Sequence, residues 1–118
     1  MATDDQFDGM ADQQLNELFA KQVCGYSLMA SIIDGVVLCG VHGSTGTATF
    51  PLPSFCTNAN VVLPWLEQWH ITAEYVAESP LPWQVVCEDD EHCYLGRGPT
   101  FTRAAVLAVL RAKCAPTR

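Results

Sequence analysis

Cysteine, histidine and acidic side chains are where chemistry would reside in this chain, which carries six cysteines and three histidines in 118 residues. Cys39 and His42 stand in a C-x2-H spacing, with Cys24 and Cys56 flanking the same region. Four such soft ligands could hold a tetrahedral zinc. The chain has no C-x2-C pair, however, and Cys39 closes the apolar run Val36-Val37-Leu38-Cys39. Thiols packed as small hydrophobes are therefore the expectation, with no metal and no cofactor. His70 precedes a strand-like segment and His92 leaves an acidic turn, and neither sits in a nucleophile motif. No catalytic residues are assigned, and the chain reads as a non-enzyme.

Two segments have glycines suited to anions. Gly40 to Gly46 lacks the lysine of a phosphate-binding loop. Gly96-Arg97-Gly98-Pro99-Thr100 precedes a helix start, where free N–H groups attract anions, and Arg97 and Arg103 are nearby. Its plainer reading is a loop followed by an N-cap, which every helix needs.

Charge gives the strongest signal. Thirteen acids against six bases leave a net charge of −7, which excludes a basic nucleic-acid binder. The acids cluster. Glu88-Asp89-Asp90-Glu91 is one group, and Asp4, Asp5 and Asp8 form a second near the N-terminus. A charge run is most simply a solvated turn. Functionally it is an anionic contact for a basic protein surface, with Trp65, Trp69 and Tyr94 as the aromatic anchors.

The elements that must position these residues are legible from periodicity. Leu15, Leu18, Phe19 and Val23 share one face of a helix predicted over residues 12–23, with Asp12 as its cap and Gly25 as its terminator. Residues 26–54 are β-like, with a loose hairpin whose tip lies near Gly43 to Gly46. Thr57 is the expected cap of a second, bent helix over 58–69 that contains Pro64, the alternative being a helix that begins at Pro64 as its first-turn residue. Residues 71–77, 83–88 and 92–95 read as an antiparallel meander. A turn centred on Asp90 would set Cys87 opposite Cys93. Thr100 caps a last helix through about Lys113, with a stripe of Val106, Val109, Leu110 and Lys113 broadened by Ala105 and Leu107.

These elements predict an α+β fold: a small antiparallel β-sheet of three or more strands flanked by about three helices, an α-β-α layered sandwich. Residues 1–11 are expected to be a flexible acidic terminus, and 12–118 a single domain. The start Met1-Ala-Thr-Asp-Asp lacks the basic and apolar regions of a secretory signal. No apolar stretch reaches the roughly 20 residues of a membrane helix. A cytoplasmic protein is expected, with no membrane and no direct nucleic-acid partner.

Three stretches together resemble the phage ABA sandwich domain family of small phage and prophage proteins. Gln14 to Tyr26 is similar to the family's opening helix, Pro53-Ser54-Phe55-Cys56-Thr57-Asn58 to the approach to its second helix, and Thr100 to Leu110 to its closing helix after a Trp-containing hairpin, where Trp83 stands. Pro64, Cys56 and the glycine-rich segment 40–46 depart from that pattern. The resemblance implies a phage origin and an α-β-α layered fold, and it carries no catalytic residues. Added to the acidity, it leads to the expectation of a phage-encoded, non-enzymatic inhibitor of a host protein in the bacterial cytoplasm. Its sharpest form is an anti-CRISPR protein with an acidic face on a basic nucleic-acid-binding surface. The alternatives are a phage accessory or regulatory protein acting as a homodimer or hetero-oligomer, and a small metal-dependent protein.

Overall fold

The computed structural model describes residues 9–30, 37–43, 46–67, 69–89 and 91–114. The chain runs through helix α1 (Asp12–Gln22), strands β1 (Ser27–Ala30), β2 (Val37–Gly43) and β3 (Gly46–Pro51), helix α2 (Ala59–Leu66), strands β4 (His70–Tyr75), β5 (Trp83–Glu88) and β6 (Cys93–Gly98), and helix α3 (Phe101–Cys114). The fold is α+β. Its strands form two separate antiparallel sheets, ordered β1-β2-β3 and β4-β5-β6. The glycine-punctuated region thus makes a full three-stranded sheet, with β1 added to the expected hairpin.

α3 is the centre of the molecule. Thr102 and every residue from Ala104 to Leu110 are buried. A helix buried around its whole circumference must be covered on opposite sides. Here β5 and β6 pack on one side, and α1 and α2 supply others. The approach of β6 is unusually close. A Cβ on Gly96 would collide with the Ala104 carbonyl oxygen and lie 2.6 Å from the Ala108 nitrogen. A Cβ on Gly98 would lie 3.2 Å from the Ala104 nitrogen, tighter than an ordinary contact. Glycine on the strand and alanine on the helix let the two backbones meet almost directly.

α1 places Leu15, Phe19 and Ala20 in the core, and the Phe19 ring meets Phe55 at 4.5 Å between centroids. The helix ends as anticipated. Gly25 has φ +75°, and the Tyr26 N–H donates to the Ala20 carbonyl over six residues. Its start differs by one residue. Ala11 is the N-cap, and the Gln14 side chain accepts from the Ala11 N–H. The Asp12 carboxylate is thereby left for Arg103, 2.5 Å away on α3.

α2 is shorter than the predicted 58–69. Asn58, rather than Thr57, is the N-cap, with its side chain accepting from the Asn60 N–H at 3.0 Å. Pro64 lies inside the helix, where it removes a hydrogen bond to the Asn60 carbonyl. The helix stops at Leu66, so Trp69 falls beyond it.

One polar clamp joins these parts. The Cys56 N–H donates to buried Asn16 on α1 at 2.9 Å, and Thr102 on α3 donates to the Cys56 carbonyl at 2.6 Å. Both backbone polar groups of buried Cys56 are satisfied this way, one from each helix.

Candidate functional site

The acidic run forms the β5–β6 turn. Glu88 pairs with Cys93, which leaves a four-residue connection. The Asp89 carboxylate accepts from the N–H groups of Glu91 (2.8 Å) and His92 (2.7 Å), and the Asp89 N–H donates to the His92 carbonyl at 3.0 Å. These backbone donors, helped by His92, hold the Asp89 carboxyl below its ordinary range. Asp89 therefore builds the turn, while Glu91 is exposed and Glu88 half-buried. Asp90, and Asp4, Asp5 and Asp8, lie outside the described residues.

This register corrects one expectation. The turn is one residue longer than a turn centred on Asp90 requires. Cys87 consequently opposes Tyr94, and Cys93 opposes Glu88. Because successive strand residues face opposite sides, Cys87 is buried and Cys93 is exposed. The two thiols cannot approach as cross-strand neighbours.

Alternation sorts the whole β4–β6 sheet into two faces. Trp83, Val85, Cys87, Gly96 and Gly98 share the side that meets α3. The other side carries three cross-strand rows: Glu74–Gln84–Arg97, Thr72–Val86–Leu95, and His70–Glu88–Cys93. None of these nine residues is buried, and Leu95 is 37% exposed. The acidic turn thus stands at one end of an uncovered sheet face. Cys93 Sγ lies 3.5 Å from a Glu88 oxygen, and this hydrogen bond raises its thiol pKa.

The three aromatic anchors are placed differently from the acids. Trp65, Trp69 and Tyr94 are half-buried and pack against the core. Trp65 stands edge-on to Tyr26, with centroids 6.0 Å apart, on the side of the β1–β3 sheet. Trp69 and Tyr94 lie at the acidic end of the β4–β6 sheet, since His70 pairs with Glu88 and Tyr94 with Cys87. The structure therefore brings Glu88, Asp89, Glu91, Trp69 and Tyr94 to one end and sets Trp65 apart. Among the described residues the aromatic that projects most is Tyr75, 56% exposed, its ring centroid 5.2 Å from that of Trp83. Its place at the close of a strand that alternates poorly gave no sign of this.

The other candidates resolve into structural roles. In the segment before α3, Gly96 and Gly98 are buried beneath the helix, and Thr100 caps it by accepting from the Arg103 N–H at 3.3 Å. Arg103 itself spans to Asp12 and the Met10 carbonyl. Cys39 is buried opposite Leu28 and Phe50, whereas Cys56 is clamped between α1 and α3. Among the described residues no three His, Cys, Asp or Glu side chains gather to hold a metal ion. Burial pushes the thiols of Cys24, Cys56 and Cys87 up to about 12, so they are protonated at neutral pH. His42 stands on β2 opposite Thr47. Among the described residues no helix is long and apolar enough to cross a membrane.

No family model matches the chain, and no curated protein does. A solved structure does: a phage protein from Bacillus cereus ATCC 14579, at 15% identity and a TM-score of 0.67, over 87% of this chain and 92% of that one. At that identity the likeness is one of fold, and the fold of this chain is one that a phage protein has.

Proposed function

We propose that this is a phage-encoded binding protein without catalytic activity, which docks the acidic end of its β4–β6 sheet on a basic protein surface of the host. The target that fits best is the nucleic-acid-binding face of a CRISPR–Cas effector, which the protein would inhibit by occupying it. The observation that carries this reading is the β5–β6 turn. Asp89 fixes its backbone, and Glu88 and Glu91 flank it beside an uncovered face containing Val86 and Leu95. A pre-ordered anionic loop loses little freedom on binding, and its charge accelerates encounter with a cationic groove. The fold shared with a phage protein supports the origin.

The test leaves Asp89 intact, because it holds the turn. Glu88→Lys with Glu91→Lys should abolish the protein's ability to restore plating of a targeted phage on a CRISPR-immune host, while far-UV circular dichroism stays unchanged. In binding to purified effector, the wild type should lose association rate as salt rises. Full inhibition by the double variant would sink the acidic-face reading.

A further inference from the structure

We infer that β4 is a docking edge for a second copy of this chain, through antiparallel β4–β4 pairing about a two-fold axis at Ala73. β4 forms a ladder with β5 alone, so among the described residues its other edge is unpaired. Five of its six residues are exposed, His70 and Thr72 to Tyr75, and these cover both faces. A strand with free N–H and C=O groups along one side is a template for another strand. The other edges carry protective devices. β1 is only four residues long, β3 ends in Pro51, and β6 contains Arg97 and lies against α3. His70-Ile71-Thr72-Ala73-Glu74-Tyr75 has no proline, glycine, lysine or arginine.

The sequence of β4 chooses its occupant, because it is self-complementary in this register. A two-fold at Ala73 sets Ile71 opposite the second copy's Tyr75, and Thr72 opposite its Glu74. Each pairing occurs twice, and no like charges meet. Tyr75 is the most exposed large hydrophobic residue among those described, and it flanks Trp83. In the pair it gains a β-branched neighbour on its open side, a favourable cross-strand combination. The two sheets become one of six strands, and the acidic turns fall at its opposite ends. This inference is independent of the target proposed above, since it uses neither the turn nor a host protein.

Sedimentation equilibrium over a concentration series tests it with two variants at one exposed position. Thr72→Glu places a carboxylate opposite Glu74 of the second copy, and Thr72→Lys places an ammonium there. Because each contact occurs twice, the dimer dissociation constant should rise about tenfold for Thr72→Glu and fall about tenfold for Thr72→Lys. Amide exchange at residues 70–75 should slow as concentration rises. A wild type that stays monomeric at the highest concentration overturns the inference, as does a dimer that both variants shift in the same direction or leave unchanged. A monomer whose β4 edge takes up a strand from a different protein also overturns it.

Discussion

The two three-stranded sheets have equal strand numbers and unequal roles. The β4–β6 sheet is fused to α3 by near-contact of Gly96 and Gly98 with Ala104 and Ala108, and it buries Val85 and Cys87. Of the described side chains of the β1–β3 sheet, Cys39 joins the buried core and Leu28 and Phe50 pack half-buried against it. Leu28 and Phe50 flank Cys39 across the strands, and Phe50 meets Tyr26 edge-on at 5.1 Å. A sheet joined backbone to backbone should open only with the whole domain. A sheet held by side chains at its margin should open locally at lower cost.

Glycine substitutions should expose this contrast most sharply. Gly96→Ala forces a methyl into the α3 backbone, and urea denaturation should show a loss of about 3 kcal/mol. Gly46→Ala, in the other sheet, meets no atom within 4 Å but must hold φ at +133°. It should cost about 1–2 kcal/mol, from backbone strain alone. Equal losses would erase the distinction.

Next in size is the clamp at Cys56. Thr102→Val keeps the shape but leaves a buried carbonyl unpaired, and should cost about 2 kcal/mol in the same assay. Thr102→Ser, which retains the donor, should recover most of it.

Thiol labelling ranks the two sheets directly. Exposed Cys93 and Cys114 should react first under native conditions. Cys39 should follow by local opening, and Cys87 only with global unfolding. Cys87 reacting before Cys39 would reverse the ranking. The pH dependence has a defined sign. Burial raises Cys56 and Cys87 from 9.0 to about 12, so the unfolded state ionises first. Stability from these thiols is complete below pH 9 and is lost as pH climbs toward 12.

The smallest effect belongs to the acidic turn. Asp89→Ala should lower the urea midpoint slightly, because two backbone donors lose their acceptor, whereas Asp89→Asn should be close to neutral. By NMR, the Asp89 carboxyl should titrate below its ordinary 3.8. Its stabilisation is present above that value and fades as pH falls through the lowered one.

Much of this was legible in the sequence, for physical reasons. Helix-spaced apolar residues from Leu15 to Phe19, the left-handed Gly25 and the Thr100 cap are local signals, and local geometry obeyed them. What escaped were contacts between distant segments. Nothing near Asn16 or Thr102 shows that both serve the backbone of one residue, Cys56, 40 and 46 positions away. Gly96 read as part of a loop before the last helix because its partner, Ala104, is visible only once the helix folds back. The Cys87–Cys93 expectation failed by one residue because an Asx-type turn lengthens the connection, and a single step changes the face. For the acidic site, the cluster was plain. The division of labour within it, with Asp89 building the turn and Glu91 exposed, needed the hydrogen bonds.

The burial of α3 on every side also sets a timetable. Ribosomes deliver chains from the N-terminus at about 5–20 residues per second, and α3 emerges after α1, α2, β5 and β6, which all pack on it. Until Phe101 to Leu110 arrive, Phe19 can meet Phe55 and β5 can pair with β6, but the surface that all four elements share is missing. α1, α2, β5 and β6 therefore close into their final arrangement only once α3 has been made.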